Sequence, residues 1–199
     1  GIEDGACYYD VAGRLAECEI FAHGTCGYGT LQEGMVLERE FDAICPDLVL
    51  WQFCPNDFVD NVCELERDAA WISGYVRPYW EGSGVVHRSS YRNFGIPVVL
   101  LRHSILLHAG ATRLHRFLIR RSGKDVNSEI LRLGPAHPGF VRSVRVTGEL
   151  LERARRHTGG VPIVVFSVGP FDDAAQAICR RLSIPYLREP AAAVQADLG

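Results

Sequence analysis

Apolar residues in this chain recur at two spacings, which separate helical from extended segments. Tyr8, Val11, Ala12 and Leu15 fall at i, i+3, i+4 and i+7, which predicts a helix over about 6–16. Leu37, Phe41 and Ile44 form one stripe of a second helix, about 31–44, with Pro46 just beyond its end. Leu107, Ala111, Leu114 and Leu118 predict a third over about 103–121. Val146, Leu150, Leu151 and Ala154 mark a fourth, stopped at Thr158-Gly159-Gly160. Asp172 stands where it would cap a last helix carrying Ala175, Ile178 and Leu182. Short apolar runs at 48–53 and 163–167 read as buried strands, with weaker ones at 19–22 and 185–188. Pro97–Leu101 reads equally as a strand or as the lead-in to the third helix.

The order strand 19–22, helix 31–44, strand 48–53 predicts a βαβ unit, hence a right-handed crossover and a parallel pair. Residues 62–140 interrupt this alternation and read as an insertion into a single α/β domain spanning 1–199. Within it, 70–96 is rich in glycine and aromatics and predicts an irregular excursion or a hairpin. Residues 122–140, with Gly, Pro, Ser and Asn, predict a long loop. No internal repeat is visible.

Composition narrows the class. The 199 residues are 47% hydrophobic and 23% charged, ordinary for a globular domain. A chain of this size buries roughly 70% of its unfolded surface and needs no disulfide or metal staple. The net charge of −3 argues against a general nucleic-acid binder. No apolar run approaches the ~18 residues of a membrane-spanning helix. The seven cysteines are odd in number and form no CxxC, which favours reduced thiols and a reducing, cytoplasmic compartment. The chain opens at Gly1 rather than methionine, so a native N-terminus and any export signal are expected upstream. Of the 21 basic residues only Lys124 is lysine. Oligomeric state is not legible.

Two polar loops come directly after strands, at the carboxyl edge where parallel sheets bind ligands. His23-Gly24-Thr25-Cys26-Gly27-Tyr28-Gly29-Thr30 presents backbone N–H groups with little side-chain obstruction. Cys54-Pro55-Asn56-Asp57 presents the Asn56 carboxamide, a neutral donor. A backbone N–H and an Asn side chain aimed at one point would form an oxyanion hole, each donor worth roughly 10²–10³ in rate. In the bland alternative the glycines only turn the chain and Asn56-Asp57 caps the next segment.

Pro46-Asp47-Leu48-Val49-Leu50-Trp51-Gln52-Phe53-Cys54-Pro55-Asn56-Asp57-Phe58-Val59-Asp60-Asn61 resembles the third block of SGNH (GDSL-type) hydrolases, a buried strand leading to Gly-x-Asn-Asp. Gly24-Thr25-Cys26-Gly27-Tyr28-Gly29-Thr30 is similar to the second block, Gly27 matching its glycine best. The stretch from Gly1 through Tyr8 to Leu15 looks like the segment just after the nucleophile block, and 162–168 and 184–187 look like the strands before the Asp-x-x-His block. The resemblance implies a three-layer, flavodoxin-like parallel sheet and a serine hydrolase acting on an ester or acylated carbohydrate. It makes Gly27 N–H and Asn56 Nδ2 the oxyanion donors, with Asp57 shaping the turn that presents Asn56, and it implies no cofactor and no metal.

Cys54 replaces the glycine of that block, and the chain contains neither Gly-Asp-Ser nor Asp-x-x-His. His137 and His157 have no Asp three residues earlier, and Asp172, Asp173 and Asp197 no His three residues later. The nucleophile and its Asp–His pair are therefore expected outside these residues, and the chain alone is expected to be inactive. The alternative is a non-catalytic SGNH-like carbohydrate-binding domain. A weaker one is a metal or redox site on His23, Cys26 and Cys54, though the tight ligand pairs of zinc sites are missing. Arg113, Arg116, Arg120, Arg121 and Lys124 read as a solvated helix face or an anion-binding one. Trp71, Tyr75, Tyr79 and Trp80 read as packing or as the lining of an acyl or carbohydrate pocket.

Overall fold

In a computed structural model of the chain, the residues described are 7–25, 27–70, 76–89, 98–167 and 172–188. Three parallel strands hold the centre: β1 (Val49–Phe53), β4 (Ile163–Ser167) and β5 (Tyr186–Arg188), in the order β1-β4-β5. Val49 pairs with Ile163 and Phe53 with Ser167, so alternating side chains of the two strands fall in step. Trp51, Phe53, Ile163 and Val165 share one face and are buried there. On the other face Leu50 is 53% exposed and Gln52 is exposed.

Helices α2 (Thr30–Ile44), α8 (Pro138–His157) and α9 (Asp172–Arg181) supply the core with Leu31, Val146, Leu150, Leu151, Ala154, Ala175 and Ile178. The short α3 (Asp57–Asp60) and α4 (Cys63–Arg67) add Phe58, Val59 and Leu65. Phe58 stands edge-on to Phe53 and Phe140, with ring centroids 4.9 and 5.0 Å apart. Helix α1 (Tyr8–Ala16) buries none of its residues, and its Tyr8 hydroxyl donates to Gln52 Oε1 at 3.3 Å.

The middle of the chain is a two-stranded antiparallel hairpin succeeded by helices. Strands β2 (Val76–Trp80) and β3 (Val85–Ser89) make the hairpin expected within 70–96. Beyond it run α5 (Val98–His103), α6 (Ile105–Ser122) and α7 (Val126–Leu133).

The structure corrects two expectations. Residues 19–22, exposed except for the half-buried Ile20, form no strand, so the predicted βαβ unit with 48–53 does not form among the described residues; β1 pairs with β4 instead. An extended segment without a ladder partner leaves its N–H and C=O groups to water, and so four apolar-leaning residues do not suffice. Residues 122–140 are not a loop. Gly123 and Gly134, at φ +65° and +51°, are the stops of α6 and α7, and between them Val126 and Ile130 bury one face of a helix. The ambiguous segment Pro97–Leu101 resolves from Val98 onward into helix α5. Asp172 is the first residue of α9, and the position that would cap it lies outside the described residues.

Candidate active site

Strand β1 ends at Phe53, and the chain then turns tightly through Cys54-Pro55-Asn56-Asp57 into α3. The Cys54 amide donates to Asp57 Oδ2 at 2.9 Å and the Asp57 amide to Cys54 O at 2.9 Å, a reciprocal pair that closes the turn. Asp57 is therefore only 1% exposed, whereas Asn56 is thrust outward and is exposed. The Asn56 side chain does not cap α3. Its Nδ2 donates to Asp60 Oδ2 one helical turn on, at 2.8 Å. One hydrogen of that carboxamide is so engaged, and Nδ2 carries a second.

The glycine loop packs through Gly29 on the end of α3, at Asp60 and Asn61. Gly27 has φ +85° and open space where a Cβ would stand, so its backbone conformation is what calls for glycine. At Gly29 the reason is space. Its φ is an ordinary −111°, but a Cβ would lie 3.1 Å from Asn61 Oδ1 and 3.2 Å from Asp60 Cβ. The loop thus closes directly onto the residues just past Asn56, and α2 begins there, with the Gly29 amide donating to Gln32 Oε1 at 3.2 Å. Asn61 in turn donates to Thr30 Oγ1 at 3.0 Å and Thr147 Oγ1 at 2.9 Å, tying loop, turn and α8 together.

Behind this junction lies a buried ion pair. Arg77 of β2 donates through Nη1 to Glu66 Oε1 at 3.2 Å, and the Tyr79 hydroxyl donates to Glu66 Oε2 at 2.5 Å. Arg77 Nη2 would stand 3.4 Å from a Gly29 Cβ, so the guanidinium forms part of the wall against which the loop packs. Burial, the charge of Glu66 and its hydrogen bond all push the Tyr79 phenol up.

In front of the pair are three carboxyls that hold protons unusually well. Burial foremost, then the charges of Glu33 and Asp60, push Asp57 up to about 9. Burial pushes Glu33 to about 7, offset in part by the Trp51 indole. Burial and the charge of Glu66 push Asp60 to about 7, against Arg77 and the Asn56 hydrogen bond. The Cys54 thiol, half-buried beside Asp57, is also pushed up, chiefly by burial. Glu33 and Asp60 can therefore give or take a proton near neutral pH, whereas Asp57 and the Cys54 thiol keep theirs.

Other candidate residues are engaged elsewhere. His137 accepts from the Phe140 amide at 3.2 Å as the N-cap of α8, and His157 packs edge-on to Phe41. Tyr79 binds Glu66, and Trp80 donates to Glu149 Oε2 at 2.9 Å, so both serve packing. Trp71, Tyr75 and Cys26 lie outside the described residues. His23 is exposed, and among the described residues no three or more His, Cys, Asp or Glu side chains converge as metal ligands. Asp60, Asn61, Glu66, Arg77 and Thr147 did not stand out in the sequence. The spacing Asn56–Asp60 and Asp57–Asn61 was a usable signal, since i, i+4 pairs share a helix face. No family model, no curated protein and no solved structure matches this chain.

Proposed function

We propose that this chain is the core of an SGNH-type serine hydrolase acting on an ester or acyl group, with Gly27 N–H and Asn56 Nδ2 as donors to the tetrahedral oxyanion. What supports this reading is the way the glycine loop and the Asn56 side chain are both tied to the end of α3. Gly29 packs on Asp60 and Asn61, and Asp60 holds the Asn56 side chain. A donor side chain held in place before substrate arrives is what a preorganised oxyanion hole requires. The parallel order β1-β4-β5 supports the finer fold. In a flavodoxin-like sheet these are three successive strands, and a nucleophile strand from outside the 199 residues pairs with the edge of β1 away from β4. The serine on that strand attacks the carbonyl, and an Asp–His pair, also outside, takes and returns its proton. Asp57 closes the turn and holds its proton, leaving no negative charge at its own position beside the developing oxyanion.

The test compares the 199 residues with a version extended through both flanks, on short-chain nitrophenyl esters. The extended protein turns over and the short one does not, and Asn56→Ala in the extended protein lowers kcat about 10²–10³-fold with KM little changed. Equal turnover by the short form, or an unaffected Asn56→Ala variant, overturns the assignment. An inactive extended protein that binds saccharide assigns the domain to carbohydrate binding instead.

A further inference from the structure

Helix α6 turns a narrow face inward and a wide one outward. Ala111, His115 and Ile119, four residues apart, are buried. Elsewhere around the helix Ile105 is 86% and Leu106 83% exposed, and Leu114, Phe117 and Leu118 are exposed as well. At 100° per residue Leu106 and Phe117 stand about 20° apart at the solvent pole. Arg113 and Arg120 flank them on one side and Arg121 on the other, all exposed. Ile105 and Leu106 open the helix directly after Ser104, whose Oγ accepts from the Leu107 amide as its N-cap, at 3.3 Å.

Charge sorts the occupants of such a face. The protein carries 24 acidic residues against 21 basic, yet no Asp or Glu occurs between Glu81 and Asp125. That stretch holds Arg88, Arg92, Arg102, Arg113, Arg116, Arg120, Arg121 and Lys124. A second copy of the chain docked face to face would set arginine against arginine. Nucleic acid would take the arginines but leave Leu106 and Phe117 in water. An anionic lipid surface takes both: aliphatic and aromatic groups enter the acyl boundary while long arginine stems carry their guanidinium groups up to the phosphates.

We infer that α6 is a membrane-surface element that lies on anionic lipid through Leu106 and Phe117, with Arg113, Arg120 and Arg121 on the headgroups. The inference rests on this surface alone and stands independently of the hydrolase reading. Surface attachment differs from spanning, and among the described residues no helix is long and apolar enough to cross a membrane.

The experiment is sedimentation of the protein, flanking sequence included, with vesicles of phosphatidylcholine containing about one third phosphatidylglycerol. Binding is expected to fall about fivefold for each of Arg113→Gln, Arg120→Gln and Arg121→Gln, and more than about tenfold on pure phosphatidylcholine. Leu106→Asp with Phe117→Asp abolishes it. All these positions are exposed, so circular dichroism and Tm stay at the parent values, and the arginine variants answer the question should the aspartates unfold the helix. Equal binding to neutral vesicles, or binding that the arginine variants leave unchanged, overturns the inference. So does dimerisation or RNA binding through this face with no vesicle binding.

Discussion

Glu66 and Asp57 are both buried carboxyls, yet one has an arginine and a tyrosine on its two oxygens while the other accepts a backbone amide. A buried charge with a partner is held fixed, because removing the partner leaves it in a medium that solvates it poorly. A buried carboxyl without a cation in contact keeps its proton instead, and its ionisation moves toward neutral pH. Glu66 therefore serves architecture, anchoring the hairpin behind the glycine loop. Asp57, Asp60 and Glu33 form a set whose charge depends on pH, beside the turn from which Asn56 presents its donor.

Breaking the paired side has the largest effect. Arg77→Met takes the guanidinium away from the buried Glu66 carboxyl and lowers stability by about 3–5 kcal/mol in urea unfolding. Adding Glu66→Leu to it recovers most of that loss, since two apolar residues replace the whole pair. A loss below about 1 kcal/mol would mean the pair is solvated after all.

The unpaired side answers to pH. Asp57 stands at about 9 in the folded chain against an ordinary 3.8, so the native state holds a proton that the unfolded chain has released. The contribution of that retained proton is fully present below about pH 4 and is lost as pH rises toward 9. Asp57→Asn keeps an acceptor for the Cys54 amide and removes the ionisation. Stability measured from pH 5 to 9 then declines less steeply, with a gain of about 1–3 kcal/mol at pH 8. An unchanged slope would show that Asp57 ionises freely.

The smallest effect belongs to an ion pair outside the core. Arg153 grips Glu38 through Nε at 2.6 Å and Nη2 at 2.7 Å, and this holds the Glu38 carboxyl below its usual range. Both side chains are partly exposed. Glu38→Gln costs about 1 kcal/mol or less, and salt erases the difference.

The elements with a buried face are legible in the sequence: α2, α8, β1 and β4 carry apolar residues at the periods their geometry demands. Features made by distant partners escaped. Residues 19–22 have strand composition but no neighbour to complete a ladder. Helix α7 was hidden because Gly123 and Gly134 suggest a loop when read as composition and helix stops when read as positions. At the site, Asn56 and Asp57 were legible from their place after a strand. Arg77 and Thr147 were not, because hairpin and α8 bring them to the turn through tertiary packing alone. Gly29 was seen as one of several permissive glycines. Its particular need, room against Asp60 and Asn61, exists only in three dimensions.

The pairing of Val49 with Ile163 has a consequence for how the chain is made. A parallel partner encoded more than a hundred positions downstream cannot meet its strand until the intervening helices have left the ribosome. At about 5–20 residues per second, that delay is roughly 6–20 s. For that interval Trp51 and Phe53 are sheltered only by their neighbours in sequence: α2 before them and the Phe58 turn after. The local helices form in microseconds, whereas the sheet waits on synthesis and on closure of a long loop. The nascent chain therefore passes through a stage in which β1 offers both of its edges, and the β1–β4 ladder is among the last parts of the native structure to form.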